Sequence, residues 1–157
     1  MNIAEYSGVW VFIEVKEGKI VPVSLELLGA GKRLAEKRGV ELSGILVGYG
    51  VKPLANTAFE YGADAVYVYD DPIFRLYRTE TYMRAIIECT NTHKPEIILY
   101  GATSTGKDLA SAAATDLATG LTADTTILDI DADTGLLQAS RPAFGGNLMA
   151  TIITPNH

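Results

Sequence analysis

Four short apolar runs, each followed by a loop and then by a stretch with helical spacing, constrain this chain more than any other feature of its sequence. They are Val9 to Val15 (VWVFIEV), Ile45 to Val47, Ala65 to Tyr69 (AVYVY) and Ile97 to Tyr100 (IILY). A strand that is apolar throughout, rather than at alternate positions, has both faces covered, and alternation with helices supplies that cover. The expected fold is therefore α/β: a doubly wound, mostly parallel sheet flanked by helices. The first strand ends in a short return, with Glu17-Gly18 turning the chain before Lys19-Ile20-Val21.

Capping residues mark the helices between these runs. Ser24 is the candidate N-cap of the first, whose inward positions are Leu27, Leu28, Gly31, Leu34 and Ala35 and which Gly39 closes. Pro53 opens the second and Gly62 ends it. Asp70-Asp71-Pro72 breaks the chain before the third, which carries Tyr82, Met83, Ile86, Ile87 and Thr90 on its inward stripe and stops at Pro95. The fourth follows Gly101 to Gly106 and is alanine-rich through Leu109, Ala112, Ala113 and Leu117, small enough to lie close on a sheet. After it the rhythm changes. Thr125 to Asp131 alternates, Asp133-Thr134-Gly135 turns, Leu136 to Ser140 returns, and Leu148 to Ile153 forms another strand. These segments predict an antiparallel addition at the sheet edge.

With 48% hydrophobic and 20% charged residues, the chain has enough apolar material for one packed core, and residues 1–157 are read as a single domain. A net charge of −6 repels phosphate backbones and anionic membranes, so neither nucleic acid nor membrane is an expected partner. The single cysteine, Cys89, excludes an intrachain disulfide and a cysteine-rich zinc site, and suits a reducing compartment. The opening MNIAEYSG includes Glu5 and no long apolar run; it resembles neither a signal peptide nor an anchor, which makes the cytoplasm the expected location.

The sharpest motif is Gly101-Ala-Thr-Ser-Thr-Gly106-Lys107-Asp108, a match to G-x-x-x-x-G-K between a strand and a helix. Nucleotide hydrolysis is disfavoured, because Asp108 puts a carboxylate where a magnesium-ligating hydroxyl belongs. Like charges about 4 Å apart repel by roughly 1 kcal/mol even in water. Binding without turnover stays open: Gly101, Ser104, Thr105, Gly106 and Lys107 offer backbone amides, hydroxyls and a cation at a helix N-terminus. Equally open is a structural reading, in which Ser104 or Thr105 caps the helix and Asp108 answers its dipole.

The second motif is Arg141-Pro142-Ala143-Phe144-Gly145-Gly146-Asn147, set between two apolar strands. A fixed proline, glycines that permit close approach, and an arginine and asparagine make a surface for a planar, hydrogen-bonding ligand; a plain hairpin connection is the alternative. Other candidates are weaker. His93 and His157 have no third ligand at metal spacing, so no metal is expected. Cys89 reads as a buried structural thiol, and Asp129, Asp131 and Asp133 as a solvated face. No catalytic residue set can be assembled, and an enzyme active site is not expected in this chain.

Four segments together resemble the N-terminal domain of the electron transfer flavoprotein α subunit: VWVFIEVKEGKIVPVSLELLGAGKRLAE, GADAVYVYD, YGATSTGKDLASAAATDLATGLTAD and SRPAFGGNLMATI. The resemblance implies an adenine-nucleotide α-hydrolase-like fold, pairing with a β subunit of similar fold in a heterodimer, and a role in carrying electrons from a flavin dehydrogenase through FAD. It implies that the α-subunit FAD is held mainly by a separate C-terminal domain, nothing like which occurs in these 157 residues. In members that bifurcate electrons the β subunit holds a second FAD. The segment with Arg141, Pro142, Ala143, Phe144, Gly145 and Asn147 resembles the part facing it, with the arginine near the flavin ring. The family's α version of the 101–108 loop is one that does not hold a nucleotide.

Overall fold

A computed structural model describes residues 3–143 and 149–153. Its centre is the strand β1 (Val9–Ile13), every residue of which is buried. β1 pairs in parallel on one side with β4 (Leu42–Gly48), Val9 opposite Leu42, and on the other with β6 (Ile97–Leu99), Val9 opposite Ile97. β5 (Ala65–Asp70) continues the sheet beyond β4, giving the order β5-β4-β1-β6. The short return is the two-residue hairpin β2 (Val15–Lys16) and β3 (Lys19–Ile20), as the Glu17-Gly18 turn predicts.

Helices α1 (Pro22–Arg38), α2 (Ala55–Glu60), α3 (Thr79–His93) and α4 (Ser104–Asp116) make the crossovers and the layer that follows β6. Parallel crossovers are right-handed, so winding outward from β1 to β5 and then back past β1 to β6 puts helices on both faces. Alternation along β1 shows the result. Val9, Val11 and Ile13 pack with Leu28 and Leu34 of α1 and Ala58 of α2. Trp10 and Phe12 pack on the other face with Ile86 and Cys89 of α3 and Leu109 and Ala113 of α4. Cys89 is buried in that second layer, as expected, and burial pushes its thiol pKa up to about 11. The doubly wound parallel sheet read from the sequence is thus the observed architecture. Among the described residues no helix is long and apolar enough to cross a membrane.

Gly39 closes α1 in the left-handed region (φ 67), and Pro53 lies in the short turn leading into α2. Three expectations need correction. Ser24 does not cap α1. The helix begins before it, with Pro22 at its first position, where the missing N–H costs nothing, and the buried Ser24 Oγ instead accepts the Glu14 amide at 2.9 Å. Neither Ser104 nor Thr105 caps α4; both lie inside its first turn, and Thr103 is the cap, its hydroxyl accepting the Gly106 amide at 2.9 Å.

The third concerns the C-terminal strands. β7 (Ile127–Ile130), β8 (Leu137–Pro142) and β9 (Met149–Ile153) are antiparallel as expected, but they form a sheet of their own with no ladder to the parallel one. The apolar side chains Leu128, Ile130 and Leu137 pack against the core layer to which α1 contributes, and β7 lies against that helix. Asp129 and Asp131 do more than face solvent. Asp129 pairs with Lys37 at the end of α1, and Asp131 accepts the Asp133 and Thr134 amides that shape the turn between β7 and β8.

Ser24→Ala should leave the Glu14 amide buried without an acceptor and cost about 1–3 kcal/mol. Gly29 of α1, by contrast, has open space where a methyl group would stand, with no atom within 4 Å, and Gly29→Ala should stabilise by about 0.5–1 kcal/mol. Urea denaturation of the two variants beside the parent checks both signs.

Candidate functional site

In an open parallel sheet, ligands bind beyond the carboxyl ends of the strands where the winding reverses. Here that point lies between β1 and β6, where Glu14 follows one strand and Gly101 lies just past the other. Glu14 is only 9% exposed, and its carboxylate accepts the Thr103 hydroxyl at 2.5 Å. Thr103 in turn holds the Gly106 amide, and the Thr103 carbonyl accepts the Lys107 amide. The crevice that receives a phosphate in a nucleotide-binding relative of this architecture therefore already contains a carboxylate, bonded to the cap of α4. A lone acid closing an otherwise apolar strand was its signal in the sequence.

The glycines of the G-x-x-x-x-G-K match have a packing reason. A methyl on Gly106 would stand 2.0 Å from the Gly101 carbonyl oxygen, so the helix start and the loop touch through backbone. Lys107 does not turn back over the loop. Its ammonium meets Asp124 Oδ1 at 2.8 Å, on the connection leading to β7. Asp124 takes a left-handed φ of 55, a region that aspartate tolerates better than most residues. Its pKa is lowered, chiefly by the Lys107 hydrogen bond and charge against a smaller opposing cost of desolvation, with the charge of Arg141 the least contributor. Asp124, which sequence reading missed, pairs with Lys107 of the first motif and also feels the charge of Arg141 of the second.

Arg141 is exposed near the tip of β8, next to Pro142 and Ala143. Phe144, Gly145 and Asn147 lie outside the described residues. Two surface clefts among the described residues stand elsewhere. One is lined by Met83, Asp108, Ser111 and Thr115 between α3 and α4, and the other by Trp10, Ser43, Tyr67 and His93 at the amino end of the sheet. The His93 ring lies on Tyr67 with centroids 4.3 Å apart, an aromatic contact at the end of α3. Among the described residues no group of three or more His, Cys, Asp or Glu could hold a metal ion.

Asp108 also departs from expectation. It does not serve the α4 dipole but reaches across to the start of α3, accepting the Tyr77 hydroxyl and the Thr79 hydroxyl, each at 2.6 Å. These bonds to the charged form hold its pKa below the usual 3.8, Thr79 contributing most. Tyr77 responds the other way: burial first, and then the Asp108 bond, push its pKa up to about 12.

What the fold and this end of the sheet define is a doubly wound α/β domain whose crevice at the reversal of winding holds a side-chain carboxylate, with exposed cations on α4 and β8. The family model for the electron transfer flavoprotein domain matches residues 9–157, and the chain belongs to that family. It is 50% identical over 152 residues to the electron transfer flavoprotein subunit alpha of Thermoanaerobacterium thermosaccharolyticum, covering 97% of this chain and 46% of that protein. It is 53% identical over 155 residues to Protein FixB of Azorhizobium caulinodans, covering 97% and 42%. The acryloyl-CoA reductase electron transfer subunit beta of Anaerotignum propionicum is 41% identical over 177 residues, at 98% and 48% coverage. The chain thus spans about half the length of the curated relatives that it matches.

Two measurements check this geometry. Because the Asp108 pKa is lowered on folding, its contribution is complete above the unfolded value near 3.8 and is lost as pH falls through the folded one. The melting-temperature gap between the parent and Asp108→Ala should therefore be constant above about pH 5 and close in more acid solution. Isothermal titration with millimolar AMP should give no heat. Binding that Lys107→Ala weakens severalfold would make the 101–108 loop a nucleotide site after all.

Proposed function

We propose that this chain acts as the N-terminal domain of an electron transfer flavoprotein α subunit, pairing with a β subunit and presenting Arg141 to an FAD that the partner holds. The observation that carries the reading is the charge arrangement at the tip of β8. The guanidinium is exposed near the end of β8, and its charge joins that of Lys107 in lowering the Asp124 pKa. An exposed cationic edge fits a cofactor bound mainly by another chain. The names of the relatives, subunit alpha among them, support a role within an assembly.

The flavin supplies the electron-accepting and electron-donating chemistry when bound. The chain's own contribution is placement and charge. A fixed cation beside a flavin ring favours the more negatively charged reduced form. Pro142 limits the backbone at the tip, and Phe144, Gly145 and Asn147 follow it in the segment that the family resemblance assigns to the flavin. No chemistry is completed by this domain alone, so it is a carrier component and not an enzyme. The resemblance of the Arg141–Asn147 segment to that of bifurcating members extends the proposal to flavin-based bifurcation. A flavin dehydrogenase then exchanges electrons with the assembled complex in the cytoplasm.

The purified chain should be colourless, and the complex with its β subunit should retain a yellow flavin. A strong 450 nm band in the partner-free chain overturns the reading. In the complex, Arg141→Ala should lower the midpoint potential of the partner-held flavin in a reductive titration, with the flavin still bound; an unchanged potential removes Arg141 from the site.

A further inference from the structure

At the amino end of the sheet, opposite to Glu14 and Lys107, lies a cleft of about 620 Å³, a volume suited to a small molecule. Three rings from three elements meet in it: Trp10 of β1, Tyr67 of β5 and His93 at the end of α3. The Tyr67 centroid is 4.8 Å from that of Trp10 and 4.3 Å from that of His93, and those of Trp10 and His93 are 6.3 Å apart, so the three form one cluster. Ser43, opposite Trp10 on the intervening strand β4, is small enough to let the two large rings meet across it. Trp10 is buried at the floor, Tyr67 is partly buried, and His93 is exposed at the mouth.

The uncompensated charge around this cleft is negative. Crossover helices of a parallel sheet end beside the amino ends of the strands, and here the carboxyl ends of α1, at Gly39, and of α3, at His93, both border the cleft. Each such end carries about half an elementary negative charge. Glu41, at the lip, is exposed and makes no ion pair among the described residues. Its charge reaches the rings: the Tyr67 phenol is held above its ordinary pKa by burial first and then by the charges of Cys89 and Glu41, with a Ser43 hydrogen bond opposing them. The nearby bases are matched within the chain, Arg38 to Glu96 at 2.7 Å and Lys94 to Glu5.

An anion entering here would meet the Glu41 carboxylate and two negative helix ends, and a neutral ligand would leave them unanswered. We propose that this cleft binds a small organic cation, its ammonium group seated against the rings of Tyr67 and His93 with Glu41 as counter-ion. The face of an aromatic ring is negative and attracts a cation, and grouped rings are the usual means of recognising a quaternary ammonium. The site stands at the other end of the sheet from the Lys107–Asp124 pair and holds independently of the flavin reading.

Trp10 is the single tryptophan of the sequence, so its fluorescence reports on the cleft directly. The probe is choline, titrated into the full chain at constant ionic strength beside the neutral alcohol in which carbon replaces its nitrogen. Choline should give a saturable change with half-saturation at millimolar concentration, and the neutral alcohol should bind at least about fivefold more weakly. Glu41→Gln and Tyr67→Leu should each weaken choline binding about fivefold. Glu26→Gln, which removes an exposed carboxylate at the start of α1, should change nothing. Glu41 is exposed, so its variant keeps the fold and decides the matter even if Tyr67→Leu fails to fold. Equal binding of the neutral alcohol makes the cleft merely apolar and overturns the inference. So does a Glu41→Gln variant that binds choline as the parent does, or a parent with no saturable response. A lysine-bearing peptide that displaces choline at far lower concentration makes a protein side chain the occupant and overturns the small-molecule assignment.

Discussion

The junction of Ser24, Glu14 and Thr103 is the point on which the rest of this structure depends. Ser24 Oγ takes the Glu14 amide, the Glu14 carboxylate takes the Thr103 hydroxyl, and Thr103 caps α4 through Gly106. Three bonds thus join the central strand to a helix on each face of the sheet, at the place where the winding reverses. In a fold that commonly leaves this crevice to a ligand, the interior is completed by the chain's own side chains. A buried carboxylate with its hydrogen bond made is tolerated; the same group facing a phosphate would carry both repulsion and the cost of desolvation.

Arg141 and Lys107 belong to segments 34 positions apart in the sequence, yet both charges act on Asp124, and the loop lysine that imitates a phosphate ligand is an anchor for the connection to β7. The cations are exposed and close to carboxylates of the same chain, which keeps them soluble without burying them. An isolated surface pair of this kind adds little to stability. Its effect is to fix where positive charge stands at one end of an otherwise acidic molecule.

The fold was legible because continuous apolar runs and capping residues are local signals. The parallel strands, the left-handed Gly39 and the inward stripe of α3 all follow from spacing that a sequence displays directly. What was not legible depended on distant partners. Ser24 has the chemistry of a cap but faces Glu14, ten positions away, and Thr103, Ser104 and Thr105 are chemically near-equal candidates until backbone geometry chooses among them. Asp108 meets Tyr77 and Thr79 only because α3 and α4 pack side by side. The Arg141 segment was found in the sequence as a motif. Asp124, on which its charge and that of Lys107 both act, was not, since it lies in a loop whose residues have no repeating pattern. The C-terminal strands were recognised individually, but whether they extend the first sheet or form another depends on edge pairing, to which hydrophobic alternation is blind.

The separateness of that second sheet has a mechanical meaning. β7, β8 and β9 share a ladder among themselves and none with the parallel strands. What joins the two bodies is apolar contact of Leu128, Ile130 and Leu137 with the α1 layer, together with the Lys37–Asp129 pair. The two sheets are therefore held to each other by a different kind of contact from the backbone ladders that hold each of them together. Arg141 is carried on β8, so where its charge stands relative to the parallel strands is set by side-chain packing against α1 and not by a shared backbone ladder.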